Sequence, residues 1–311
     1  MRAVWSFWSR PFARHRAGSW GTERNHLLAW TLSTEAARRH YPRTALVTDS
    51  AGARMLVDGL GLEFYSVSTS LDTLAGHDPS WWALGKLFAH REQAEPFVHL
   101  DTDVFLWKRL PSRLEGAPVF AQNPEAVHPE RFPYRTALLD AAVDGSGGWL
   151  PAEWRGYARP ARTAACCGIV GGADVDFIRW YAALAVRMLE HPANRAALRG
   201  LADADQHMVS LEQYLLSACV EHHRERAGSP FRGVRLEYLF PSWEAATDER
   251  NAAEAGFTHL MCDAKREPGI VARVERRVRD EHPAAYERCL RYLGAREVAA
   301  AARGLSDGVS R

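Results

Sequence analysis

Short apolar runs alternate with segments of helical periodicity through the first hundred residues. Ala3-Val4-Trp5-Ser6-Phe7-Trp8 alternates as a strand does, and Arg10-Pro11 closes it. A polar loop runs to Gly21. Asn25 is suited to cap a helix in which residues 26–32 place Leu27, Leu28, Trp30 and Leu32 at helical spacing, with Pro42 beyond its end. Thr44–Thr48 reads as a short buried strand with Asp49 and Ser50 at its carboxyl end. A short helix over 51–58 stops at Gly59-Leu60-Gly61, and Glu63–Val67 reads as a third strand. Ser80 opens a helix carrying Trp81, Trp82 and Lys86, and Phe97–Asp101 is a fourth strand. This order predicts an α/β fold with a mixed, mostly parallel, Rossmann-like sheet flanked by helices. Ligands of such sheets gather outside the carboxyl ends of the strands. Trp8, Asp49 and Asp101 all fall there.

The fourth strand ends in Asp101-Thr102-Asp103. In extended chain, residues i and i+2 point to one side, so both carboxylates can converge on one object. Like charges a few ångströms apart repel unless a cation joins them, and hard oxygen ligands suit Mg²⁺ or Mn²⁺. A solvated turn after a strand accounts for the same residues.

Beyond it, Pro118–Gln122 is another short strand. Residues 123–165, rich in Pro, Gly and Arg and carrying Trp149 and Trp154, read as a long loop able to cover a site. Residues 164–172 form a strand of small residues ending in Gly171-Gly172. Helices follow at Asp174–Glu190 and Asp203–His222, then strands at Arg235–Phe240 and Gly256–Met261. The organisation expected is a domain over 1–266, with a nucleotide-binding half (1–122) and an acceptor half (123–266). A helical C-terminal extension covers 267–303 and a flexible tail 304–311. His222-His223, followed by Arg224-Glu225-Arg226, reads as a solvated helix end.

Composition narrows the function classes. The 39 basic and 38 acidic residues nearly cancel, which argues against a general nucleic-acid binder. No apolar run reaches the length of a membrane span, and the N-terminal apolar stretch is too short for a signal peptide. Five cysteines without paired spacing argue against a disulfide framework, so buried thiols in a reducing cytoplasm are expected.

Four features in order resemble the GT-A-fold glycosyltransferases. They are the strand-terminal Asp101-Thr102-Asp103 behind an aromatic helix with Lys86, the segment Cys167-Gly168-Ile169-Val170-Gly171-Gly172, the pair Asp205-Gln206, and the late strand with His259 followed by Lys265. They span residues 3–266. The family's Asn before the small-residue run is Cys166 here, and its closing Lys-Pro-Trp after the histidine is absent. The resemblance implies transfer of a sugar from a nucleotide diphosphate sugar to an acceptor that is a glycan, a lipid-linked sugar, a peptide or a small molecule. It also implies a Mn²⁺ or Mg²⁺ ion on Asp101, Asp103 and His259, and Lys265 on the diphosphate. Base and ribose fall to Ser6, Phe7, Trp8 and Asp49, and other donor contacts to Lys86, Asp101, Thr102, Gly171 and Gly172. Asp205, with Gln206, or Glu212 two turns on, would face the reacting sugar as base or positioning group. Two other readings stand beside it. One is a nucleotide-sugar-binding module without turnover. The other is a metal-dependent aspartyl phosphatase or phosphotransferase with Asp101 as nucleophile.

Overall fold

The structure is a computed structural model that describes residues 1–14, 18–157, 162–201 and 203–308, with 299–308 as backbone only. Its longer elements, in chain order, are β1 (Arg2–Phe7), α1 (Glu23–Arg38), β2 (Thr44–Thr48), β3 (Ser66–Ser68), α2 (Leu84–Glu92), β4 (Phe97–Leu100), β5 (Val104–Leu106), β6 (Val119–Ala121) and β7 (Pro124–Ala126). Then come α3 (Thr136–Gly145), α4 (Ala152–Gly156), β8 (Thr163–Ala165), β9 (Ile169–Gly172), α5 (Val175–Glu190), α6 (Leu215–Arg224), β10 (Leu236–Tyr238), β11 (Phe257–His259), α7 (Pro268–Glu281) and α8 (Pro283–Gly308).

Among the described residues, seven strands form one sheet in the order β10-β6-β9-β4-β1-β2-β3. It is parallel from β3 to β4 and again between β6 and β10, while β9 runs antiparallel to both its neighbours. The expected mixed, mostly parallel α/β sheet is therefore present. Alternation along the strands divides the core between its two faces. Ala3, Trp5 and Phe7 of β1 join Val98, Leu100 and Phe120 under α1 and α7. Val4, Phe97, Val119, Ala121 and Val170 pack on the other face against α2, α5 and α6. The C-terminal helices close the first face, where Val274, Val278, Tyr286 and Cys289 join the same apolar cluster as β1.

Several elements differ from the sequence reading. Thr22, not Asn25, caps α1: its hydroxyl accepts from the Asn25 amide at 3.1 Å. The third strand is shifted to Ser66–Ser68, because parallel pairing with Ala45–Val47 fixes its register while Tyr65 stays 71% exposed. The helix expected from Ser80 begins at Leu84. The stretch 123–165 is no plain loop. Its ends pair as β7 and β8, and α3 and α4 lie between them; its residues Arg159, Pro160 and Ala161 lie outside the described residues. The helix expected over 203–222 is broken into a 3₁₀ turn (Ala204–His207), a π-helical turn (Ser210–Tyr214) and α6. The wide turn inserts an extra residue per turn and sets Glu212 inward, 1% exposed. The tail expected from 304 continues α8 to Gly308, and 309–311 lie outside the described residues. No helix among the described residues is long and apolar enough to cross a membrane.

Candidate functional site

The carboxyl end of β4 lies in the middle of the sheet, flanked by β1 and β9. Asp101 leaves β4 with its amide on the Gly168 carbonyl (3.0 Å), and the Val104 amide returns to the Asp101 carbonyl (3.0 Å), so Asp101-Thr102-Asp103 is a tight turn. The chain then enters β5, which pairs antiparallel with β11 and places His259 opposite Val104. The Leu260 amide donates to the Asp103 carbonyl at 2.9 Å. That hairpin-like pairing, made across 150 residues of chain, carries a histidine to the aspartates.

Ligand atoms of Asp101, Asp103 and His259 all lie within 4.8 Å of one another. His259 Nδ1 donates to the Gln122 side-chain oxygen at 2.7 Å, which fixes the ring with Nε2 turned to Asp103 Oδ1, 3.5 Å away. An orienting partner of this kind is what a metal-binding histidine requires. Gly168 makes the arrangement possible, since a Cβ there would sit 2.5 Å from both Gln122 Oε1 and His259 Nδ1. Lys265, from the 3₁₀ turn after β11, forms an ion pair with Asp103 Oδ2.

On the other side Lys86 is 5% exposed. Its ammonium donates to the Cys167 carbonyl (2.6 Å) and forms ion pairs with Asp101 Oδ1 (2.8 Å) and Glu212 Oε1 (2.6 Å). Burial works against that ammonium, but Asp101 and Glu212 outweigh it and hold the lysine charged. Burial pushes the Asp101 carboxyl up, with Lys86 opposing and Asp103 adding to the rise. Burial likewise raises Glu212 against the pull of Lys86. Burial would raise Asp103 too, yet Lys265 and His259 hold it well below the usual carboxylate range. Three carboxylates thus face two lysines, Lys86 and Lys265, which leaves one negative charge uncompensated. Together with the two-oxygen, one-nitrogen donor set, that excess charge fits a divalent cation.

Other predicted site residues are placed differently. Asp49 is 6% exposed and already committed: Oδ2 accepts from the Ser9 amide (2.9 Å) and hydroxyl (2.8 Å), and Oδ1 caps Gly52 (2.7 Å). Phe7 and Trp8 are 6% and 5% exposed, core side chains with no face open to a base. Ser6 Oγ bonds His99 Nε2 at 2.9 Å. Lys86 is a buried anchor, not a group reaching into solvent. Gly171 and Gly172 pair with Val98 and Phe97, at the opposite end of the sheet from the turn. A Cβ on either would meet a neighbouring strand's carbonyl at 2.0 Å, so close strand approach explains both glycines. Thr102 is half-buried in the turn. Glu212 joins the site, whereas Asp205 is exposed on the preceding 3₁₀ turn, its carbonyl accepting from Trp82 Nε1 at 2.9 Å. Gln206 beside it is half-buried. Asp205 lines a groove of about 1000 Å³ together with His77, Ser80, Trp81, Leu198 and Arg199. A second cavity of about 500 Å³, between α2 and α5 around Phe88, Arg91 and Trp180, contains none of these residues.

Sequence reasoning missed four participants. Gln122 ends a strand with no motif around it. His26 stacks on Phe12 (centroids 4.7 Å), and burial, reinforced by Lys265, lowers it to about 4. His99 and His90 sit beneath Asp101 with rings 5.2 Å apart; burial, helped by Lys86, lowers both, His90 to about 3. Only the alternation of His99 with Asp101 on one strand hinted at any of them. Cys262, expected to be buried, is exposed beside Lys265, while Cys166, Cys167, Cys219 and Cys289 are buried free thiols.

No curated protein matches this chain. A family profile aligns with residues 1–292, nearly its full length, and the chain therefore belongs to that family, described as a family of unknown function (DUF6734).

Proposed function

We propose that this chain is a metal-dependent glycosyltransferase of the GT-A fold, moving a sugar from a nucleotide diphosphate sugar to an acceptor. The observation that carries the proposal is the convergence of Asp101, Asp103 and His259 at the carboxyl end of a central strand, with Lys265 on Asp103. Asp103 and His259, with Asp101 directly or through water, would hold Mn²⁺ or Mg²⁺, which would supply Lewis-acid charge for a departing diphosphate. Lys265, 17% exposed at the rim, adds a fixed ammonium for the same phosphates. Lys86 is too deeply buried for that task. It fixes the rotamers of Asp101 and the buried Glu212, leaving the partly exposed Asp101 to present an oxygen acceptor to donor hydroxyls. Asp205, exposed on the wall of the groove it shares with Trp81 and Arg199, is the carboxylate we assign to the acceptor.

The aspartyl phosphotransferase reading needs Asp101 as a free nucleophile. Its Oδ1 is held by Lys86 and burial raises its carboxyl, both of which weaken it in that role. A binding module differs from an enzyme only in turnover.

The test is a thermal-shift panel of nucleotide diphosphate sugars, with and without Mn²⁺, on the wild type and Asp103→Asn, followed by an assay of donor hydrolysis. One nucleotide class at 100-fold excess over Kd should stabilise the wild type by about 2.7 kcal/mol, only with metal, and leave the variant unmoved. Metal-dependent release of nucleotide then separates an enzyme from a module. If no nucleotide shifts the wild type under any metal, the proposal fails.

A further inference from the structure

A second cluster of metal-ligating side chains lies away from the aspartates. Glu153, on α4 of the insert between β7 and β8, faces His222 and His223 at the end of α6. Candidate donor atoms of the three lie within 4.8 Å of one another. Glu153 Oε1 is 3.4 Å from His223 Nε2 and 3.9 Å from His222 Nε2. A tetrahedral ion with ligands at about 2.1 Å requires them about 3.4 Å apart, so these separations suit an ion between the groups.

The ring nitrogens add an independent observation. His223 is 8% exposed, and its Nε2 makes no hydrogen bond although it points at the carboxylate. Its Nδ1 bonds Ser229 Oγ at 2.8 Å, and Trp180 and Phe231 meet the ring edge-on at 4.6 and 5.7 Å. The ring is thus fixed in place with one nitrogen unused, a costly arrangement for a buried polar atom. His222 Nε2 accepts from the guanidinium of Arg226, so it is unprotonated and its lone pair is free for an ion once Arg226 lets go. Arg226 is exposed, and its side chain can swing into water.

We propose that Glu153, His222 and His223 form a Zn²⁺ site that fastens the β7–β8 insert to α6. Two imidazoles and one carboxylate suit zinc better than the hard Mg²⁺ or Mn²⁺ assigned to the aspartates, and a water completes the tetrahedron. The ion replaces the Arg226 hydrogen bond on His222 and gives the idle His223 nitrogen a partner. Because α6 continues directly from the turn bearing Glu212, the ion ties the insert to the element that supports the candidate active site. The inference does not depend on the glycosyltransferase reading.

The experiment starts from wild-type protein stripped with a chelator. It is titrated with Zn²⁺ by calorimetry and with Co²⁺ by visible absorption, alongside Glu153→Gln, His223→Ala, Ser229→Ala and Asp103→Asn. Expected are one tight zinc per chain, tetrahedral cobalt bands, and affinity lost by more than ~100-fold in Glu153→Gln. Ser229→Ala, which removes the orienting bond together with the acceptor of the Phe231 amide, should cost ~10-fold. Asp103→Asn should bind zinc as the wild type does. Glu153→Gln is nearly isosteric and keeps the test informative if His223→Ala fails to fold. Equal zinc binding by Glu153→Gln and wild type, absence of stoichiometric zinc in the wild type, or loss of zinc in Asp103→Asn alone would each overturn the proposal.

Discussion

Asp101 and Asp103 stand one residue apart in the same turn, yet their surroundings drive them in opposite directions. Asp101 shares the buried ammonium of Lys86 with Glu212, so one positive charge serves two carboxylates, and burial leaves both raised. Asp103 has Lys265 to itself and His259 beside it, and is held well below the usual range. The difference lies in how many cations each carboxylate commands. Asp101 is itself 35% exposed, but its counter-ion Lys86 is anchored in the core. Asp103 is 8% exposed, and its counter-ion is a lysine from a short turn at the rim. A site that must hold its frame while exchanging a charged ligand benefits from that division.

The strongest way to break the comparison is Lys86→Met. It leaves Glu212 and Asp101 without their shared cation, and removing one partner of a buried ion pair costs about 3–5 kcal/mol. Urea denaturation should show that loss, and Lys86→Met combined with Glu212→Gln should recover part of it. A loss under about 1 kcal/mol would show that the ammonium does not hold the scaffold.

Next in size is the contrast between the aspartates themselves. Asp103→Asn should destabilise the protein by about 1.5–3 kcal/mol, the worth of hydrogen bonds to charged groups. Asp101→Asn should cost less, because its ionised form is the one that burial disfavours. Equal losses in chemical denaturation would erase the distinction.

The smallest effect at neutral pH belongs to His90→Phe. Both ring nitrogens of His90 are buried without partners, so the swap should change stability at pH 7 by less than about 1 kcal/mol. Acid separates the two proteins. A histidine lowered to about 3 when folded takes up its proton first in the unfolded chain, so its contribution to stability falls as pH drops from about 6.5 toward 3. His26, lowered to about 4, and His99 act in the same direction, while the raised Asp101 and Glu212 oppose them. The difference between variant and wild type isolates His90. At pH 5 the variant should gain about 2 kcal/mol on the wild type relative to pH 7. Parallel pH–stability curves would contradict the buried, neutral assignment.

Much of the frame was legible along the chain. The strand ending at Asp101, the helix bearing Lys86 and the turn of alternating carboxylates follow from hydrophobic period and strand geometry, both local properties. Asp49 shows where local reading stops. At a strand's carboxyl end it looked like a ribose ligand, but the next element turned it into a helix cap holding Ser9. Gly171 and Gly172 looked like a substrate approach and instead let three strands close up. The insert misled for a related reason, since its Pro, Gly and Arg content resembles a loop while the β7–β8 pairing depends on residues forty positions apart.

By itself, the sequence determined the α/β alternation, the central strand and the two aspartates at its end, because each rests on neighbours within a few residues. Only the tertiary structure decided which cation each aspartate meets, that Glu212 turns inward while Asp205 stays exposed, and that Gln122 orients His259. Those outcomes depend on side chains brought together from distant parts of the chain, and on burial, which sets the strength of every charge among them.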